Sequence, residues 1–262
     1  FFKKSEKLFS YLIYSLVIAF LLYASVKLYY YLPIYHNANG ANGANGVNGI
    51  KHMAYLMLLT TLRVAAAMIL SLIIFLPIGI WIGLSPRRTK FCQPVIQVMA
   101  ALPPDILYPM LAIFLVAFHQ SLSWWSIIMI MLGTQWYILF NVIAGVLALP
   151  DDLKSMAANF QAKGWFCWRK FIIPGIFPYI VTGIISAAGG AWNADITAEV
   201  ISWGKDTLST EGLGAYIASA TNDGHDPQSA LGCLLMCGLV ACCIIFVWRP
   251  LYRLAGTRFC VK

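Results

Sequence analysis

Long apolar runs alternate with short polar interruptions along the whole chain, and that rhythm predicts its elements. Runs over residues 9–32, 53–84, 94–118, 124–147, 174–201 and 229–247 are each of a length that can cross a hydrocarbon core of about 30 Å as a helix. The run 53–84 has room for an extra interfacial turn, with Pro77 expected to kink it and Arg63 expected to snorkel near its outer boundary. Pro103-Pro104-Asp105 interrupts the third run, so a bent entry followed by a shorter span is expected there. In residues 36–49 Asn-Gly recurs every three positions. Such a tract cannot bury a core and reads as a flexible linker outside the membrane. Residues 204–228 form a polar outer loop, in which TEGLGAYIASAT suggests a short re-entrant or interfacial helix. The expected organisation is an all-α polytopic membrane protein of six spans. It has an N-terminal span (1–33), an outer linker (34–52) and a core (53–262) that carries a cytoplasmic loop at 149–174.

Composition agrees and removes other classes. Hydrophobic residues make up 60% of the chain, charged ones 11%, and the mean hydropathy is +0.75, which excludes an ordinary soluble domain. The net charge of +8 does not point to nucleic acid, because the aromatics belong to the apolar runs and no interleaved basic-aromatic surface exists. The cations instead mark one membrane face. With both termini cytoplasmic, all but Lys27, Lys51, Arg63 and Lys205 of the 18 Lys and Arg lie inside, and the positive-inside rule selects that orientation. The first run is too long for a cleavable signal peptide and lacks a clear cleavage site. A chain that opens on Phe1 is expected to be a piece of a longer polypeptide. The seven cysteines read as packed thiols: three fall in reducing cytoplasmic segments and four in one apolar helix. His119 and His225 read as ordinary loop histidines.

The most informative stretch is LPDDLKSMAANFQAKGWFCWRKFIIP, residues 149–174. Asp151 and Asp152 suit a helix N-terminus. Met156, Ala157 and Phe160 recur at helical spacing, Gly164 breaks the run, and Lys163, Arg169 and Lys170 make the second half cationic. Pro174 suits the first turn of the following helix. Two short helices with a bend on the cytoplasmic face are expected, with small residues that let another protein approach. This stretch resembles the EAA loop of permease subunits of binding-protein-dependent ABC importers: Glu-Ala-Ala, three residues, Gly, and a later Pro. Four further blocks, GTQWYILFNVIAG, FPYIVTGIISAAGGAWNADITAEVISWG, GLGAYIASAT and WRPLYRLAGTR, resemble the nitrate/sulfonate/bicarbonate type of these permeases, over about residues 60–258. The resemblance implies a type I (MetI-like) importer fold and alternating access. It implies partners: cytoplasmic ATPase subunits that bind ATP and Mg, a second permease chain or half, a periplasmic or lipid-anchored solute-binding protein, and membrane lipid. It also implies that Ser155, Met156, Ala157, Ala158, Phe160, Gln161, Gly164 and Trp165 contact the ATPase. Two positions depart from the pattern: Ser155 stands at the Glu position and Gln161 at the Gly position. Gln161 either adopts a left-handed conformation, at about 1 kcal/mol, or shifts the bend towards Gly164. These departures fit weaker docking, or a partner half with an intact loop.

No Gly-x-x-x-x-Gly-Lys-Ser/Thr occurs in the chain, so ATP is expected on a separate subunit and no cofactor on this one. Gln135, Asn141, Asn193, Asp195 and Glu199 are the membrane-embedded polar residues that either line the solute path or bond between helices. Asp195 and Glu199, four residues apart, would repel an anion and are expected to pair with Arg63 or another helix. An intramembrane acid protease is the enzyme-class rival, and no second acid at mid-depth supports it. The non-transport rival is a degenerate permease half kept as a scaffold, for which Ser155 and Gln161 are the only support.

Overall fold

A computed structural model describes Tyr23 and residues 47–160, 164–203 and 206–258. Apart from Tyr23, the expected span 9–32 and the repeat as far as residue 46 lie outside the described residues. Among the described residues, four helices are long and apolar enough to cross a membrane: Lys51–Gly83, Leu122–Leu147, Gly164–Glu199 and Asp226–Thr257. The pair Pro86–Ala101 and Pro104–Ala117, bent by 73°, makes a fifth crossing if taken as one. We label the helices α1 (Val47–Gly83), α2 (Pro86–Ala101), α3 (Tyr108–Ala117), α4 (Leu122–Leu147), α5 (Asp151–Asn159), α6 (Gly164–Glu199), α7 (Leu213–Asn222) and α8 (Asp226–Thr257).

Local chemistry explains the breaks. Leu102 and Pro103, each preceding a proline, are both extended (ψ 122° and 125°), as the clash with the following pyrrolidine ring demands. The chain leaves α2 there and turns into α3. By contrast α1 continues through Pro77, since neighbouring helices hold a membrane helix together across a lost hydrogen bond. In α6 and α8 the backbone widens into single π turns at Trp168–Ile172 and Ile244–Trp248. Both turns end two residues before a proline, Pro174 or Pro250, whose missing N–H leaves the carbonyl four residues back without its helical partner.

Small residues set the packing of the three central helices. Ser71 bonds Thr134 at 3.1 Å, Gly79 lies on Val142 and Gly83 on Val146. The sequence offset is the same for all three pairs, so α1 and α4 run parallel and in step. A Cβ on Gly79 would stand 2.7 Å from the Val142 Cγ1; only glycine permits this approach. Helix α6 is antiparallel to α4, with Gly145 against Tyr179, Asn141 against Gly183, Tyr137 against Gly190 and Gly133 against Ala194. On α1, Thr60, Arg63, Val64, Ala67 and Ser71 face inward, while Leu58, Leu62, Ile69 and Ile73 are exposed as a stripe suited to lipid. The ends of α1 and α4 and the start of α6 therefore share one face, the inner face of the expected topology.

One element departs from an all-helical reading. The expected run 174–201 stops being helical at Glu199, and Val200–Trp203 pairs antiparallel with Asp206–Ser209 in a small hairpin. Val200 and Ile201 are apolar and extend the helical pattern by composition, but as β-branched residues they suit a strand equally well. The helix expected within TEGLGAYIASAT is present as α7.

Candidate functional site

At the end of the bundle where α1 and α4 stop and α6 starts, Leu149 seats the start of the 149–174 segment. Its side chain is buried against Gly175, where a Cβ would stand 2.6 Å from the Leu149 Cδ2. Helix α5 then begins with Asp151 and Asp152 in its first turn, complementing the helix dipole. The segment bends at Gly164, whose φ of +60° is left-handed, so the bend sits on the glycine that the sequence offers after Gln161. Gln161 itself and the side chains of Ala157 and Ala158 lie outside the described residues. Ser155 and Met156 are exposed on α5. Phe160 (70%) and Trp165 (69%) are also exposed. Phe160 lies 6.3 Å from Phe171 and Trp165 6.5 Å from Trp168, centroid to centroid. The result is a bent segment that leaves Met156, Phe160 and Trp165 exposed.

At the opposite end of α6 a polar cluster is buried. Arg63 donates through Nη1 to the Glu199 Oε1 (2.6 Å) and to the Glu211 carbonyl (2.6 Å), and through Nη2 to the Thr210 Oγ1 (3.0 Å). Thr60 donates to the Glu199 Oε1 (2.8 Å) and accepts from the Leu213 N–H (2.9 Å). The Glu199 Oε2 accepts from the Ala215 N–H (3.0 Å), so this carboxylate also caps the start of α7. Gly212 leaves the space it needs, because a Cβ there would collide with the carboxylate. The pairing of Glu199 with Arg63 agrees with expectation, but Arg63 does not snorkel: it is 6% exposed and turned inward, where its donors meet acceptors from α6 and from Thr210 and Glu211 just after the hairpin.

Asp195 lies one turn earlier and is fully buried, with neither carboxylate oxygen hydrogen-bonded among the described residues. Gln135 is buried within α4. Asn141 is half-buried, donates to the Tyr137 carbonyl of its own helix (2.8 Å) and packs on Gly183. Asn193 is exposed. The five polar candidates are thus dispersed: Asp195 and Glu199 belong to the buried side of α6, and Asn193 to its open side. That open side carries a stripe of small and polar residues, Thr182, Ser186, Gly189, Asn193 and Thr197. Their spacing of three or four marks one helix face, a signal present in the sequence but masked by the apolar residues between. Thr197 donates to the Asp105 Oδ1 at 3.3 Å, which ties the stripe to the turn before α3. Thr60 lies in no motif, and Thr210 and Gly212 fall in the TEGLGAYIASAT stretch without a role assigned there; the roles of all three come to light only through their contacts with Arg63 and Glu199.

Several apolar spans, an exposed bent segment on one face and a polar helix stripe fit an integral component of a transport system. Residues 75–259 match the binding-protein-dependent transport system inner membrane component family, and the chain belongs to it. It is similar to the nitrate import permease protein NrtB of Leptolyngbya laminosa (30% identical over 178 residues, 68% of this chain and 60% of that protein). It is also similar to the bicarbonate transport system permease protein CmpB of Synechococcus elongatus (30% over 163 residues, 62% and 55%). A third relative is the taurine transport system permease protein TauC of Escherichia coli (27% over 162 residues, 60% and 54%). The matched region spans 54 to 60% of the length of these three relatives.

Proposed function

We propose that the chain is a transmembrane permease subunit of an ATP-driven importer, passing a small oxyanion such as nitrate, bicarbonate or a sulfonate across the inner membrane. It does so within a type I, MetI-like fold, both termini cytoplasmic. The observation that carries this reading is the exposure of Met156 and Phe160 on α5 and of Trp165 at the start of α6, on either side of the bend. An apolar and aromatic patch of this kind, held by Leu149 and shaped by Gly164, is suited to burial in a partner's groove, and the ATPase subunit is the partner that supplies energy. Ser155 contributes a hydroxyl where the family pattern has a carboxylate, so contact is governed by packing more than by charge. Movement of α5 is passed along α6, whose stripe of Thr182, Ser186, Gly189 and Asn193 lines one wall of the solute path, facing a second permease chain or half. Solute arrives from an outer binding protein at the face formed by the hairpin and α7, and alternating access opens the path to each side in turn.

The test is reconstitution of the full chain with its ATPase subunits, second permease and binding protein in lipid vesicles. Solute-stimulated ATP hydrolysis is expected with the native segment and is expected to be lost in the Phe160→Ala, Trp165→Ala double variant. If no ATPase subunit copurifies with the chain or responds to it, even after Ser155→Glu and Gln161→Gly restore the family pattern, the chain is a scaffold and the transport reading fails.

A further inference from the structure

The break between α2 and α3 places a charge at membrane depth. Pro104 rests on α4 at Gly133, where a Cβ would stand 3.7 Å from the Pro104 Cγ. Gly133 lies about 16 Å along α4 from Leu122 and about 21 Å from Leu147, so the break sits near the middle of a spanning helix. Asp105 follows directly. Its side chain is exposed, and its Oδ1 accepts from the Thr197 hydroxyl at 3.3 Å. Among the described residues no lysine or arginine pairs with it. A carboxylate at this depth is costly against hydrocarbon, and such residues face a water-filled path or a counter-charge. The contact with Thr197 gives the side: Asp105 stands at the open side of α6, with Asn193 and the rest of the small and polar stripe. The backbone of the break has the same sign. Helix α2 ends at Ala101, so its last carbonyls and the negative end of its dipole point into the break. Pro103 and Pro104 add carbonyls but no N–H, and the N–H groups of Leu102 and Ile106 are taken by the Met99 and Pro103 carbonyls. A span interrupted near mid-depth frees backbone groups to hold a solute or ion, and the groups freed here are mostly acceptors.

We infer that this break is a subsite for an ammonium group on the solute, with Asp105 as the residue that selects for it. The inference rests on the reading of the chain as a permease whose path runs along the α6 stripe. It narrows the solute to a zwitterion, one that carries an amine beside its oxyanion. The ammonium donates to the Asp105 Oδ2, which has no partner among the described residues, and to a carbonyl of the break; such charge-assisted bonds are short and strong. Thr197 holds the carboxylate towards the path. Asn193, one turn along the same face of α6, offers its amide N–H to the anionic end. A bare oxyanion such as nitrate is repelled by the same carboxylate, so Asp105 discriminates by charge as well as by contact.

The full chain, assembled with its second permease and ATPase subunits in phosphatidylcholine nanodiscs, is treated with dicyclohexylcarbodiimide, an apolar reagent that consumes carboxyls within membranes. Loss of the unmodified peptide is followed by mass spectrometry for Asp105 and for Asp152, an exposed reference on α5. The probe is 2-aminoethanesulfonate, compared with 2-hydroxyethanesulfonate at equal sodium and ionic strength. The amino probe is expected to slow the loss of Asp105 about threefold, as two-thirds occupancy would. The hydroxy probe is expected to leave it unchanged, and neither is expected to alter Asp152. No slowing by either probe, equal slowing by both, or equal slowing at Asp152 overturns the subsite. Slowing by sodium in place of choline also overturns it and assigns the break to a metal cation. An Asp105 that reacts only when the second permease is left out is paired with that chain, which overturns the subsite too. ATP hydrolysis stimulated by the solute-loaded binding protein reports separately. A responsive complex without protection of Asp105 sinks the subsite alone, and protection without any ATPase response supports the subsite while sinking the importer reading.

Discussion

The two ends of α6 treat their reactive surface in opposite ways. Around Glu199, the Arg63 guanidinium, the Thr60 hydroxyl and the N–H of Ala215 all converge on one fully buried carboxylate. Around Gly164, Met156, Phe160, Trp165 and Phe166 stand exposed with their apolar area unused. A buried ion pair whose lone pairs and protons are matched is a structural joint, because breaking it leaves an uncompensated charge. An exposed aromatic patch contributes little to the folded chain and retains its area for a partner. The contrast separates a joint that holds the chain together from a surface whose apolar area the folded chain leaves exposed.

Loss of one side of the joint is the strongest way to break this comparison. Glu199→Ala strands Arg63 and uncaps α7, and is expected to cost about 3–5 kcal/mol, visible as a large fall in the melting temperature of the purified chain in mild detergent. If the fall is no larger than for an exposed position, the cluster is not a joint. Gly212→Ala places a methyl group against the same carboxylate and is expected to cost about 1–3 kcal/mol as an overpacking strain, in the same melt. Asp195→Asn sharpens the comparison, since Asp195 has the burial of Glu199 without its partners. Replacing its carboxyl by an amide is expected to preserve or raise stability by about 1 kcal/mol, and a loss comparable to that of Glu199→Ala would show that Asp195 has a partner after all. At the other end of α6, Phe160→Ala with Trp165→Ala is expected to move the melt by no more than about 0.5 kcal/mol, while ATPase copurification is lost. A folding defect there would make the segment structural.

Legibility in the sequence tracked the range of the physics involved. Four of the spans, the bend at Gly164 and the break at Pro103-Pro104 rest on runs, periods and local backbone restrictions, and each was readable. The partner of Glu199 was readable only as a choice between Arg63 and another helix, because 136 residues separate the pair. The hairpin escaped because Val200 and Ile201 satisfy helix and strand patterns alike, and their pairing with Leu208 and Ser209 is a tertiary event. The dispersal of the polar candidates escaped too: Asn193 and Asp195 are two residues apart, and nothing local says which side of α6 will be covered.

By itself the sequence determined that this chain is built of apolar helices of membrane length and where the chain bends, since hydrophobic length and glycine or proline placement act within a few residues. Only the tertiary structure decided that Arg63 turns inward and that Glu199 joins α1, α6 and α7. Those outcomes depend on the register of α1, α4 and α6, set by contacts between residues far apart in the chain.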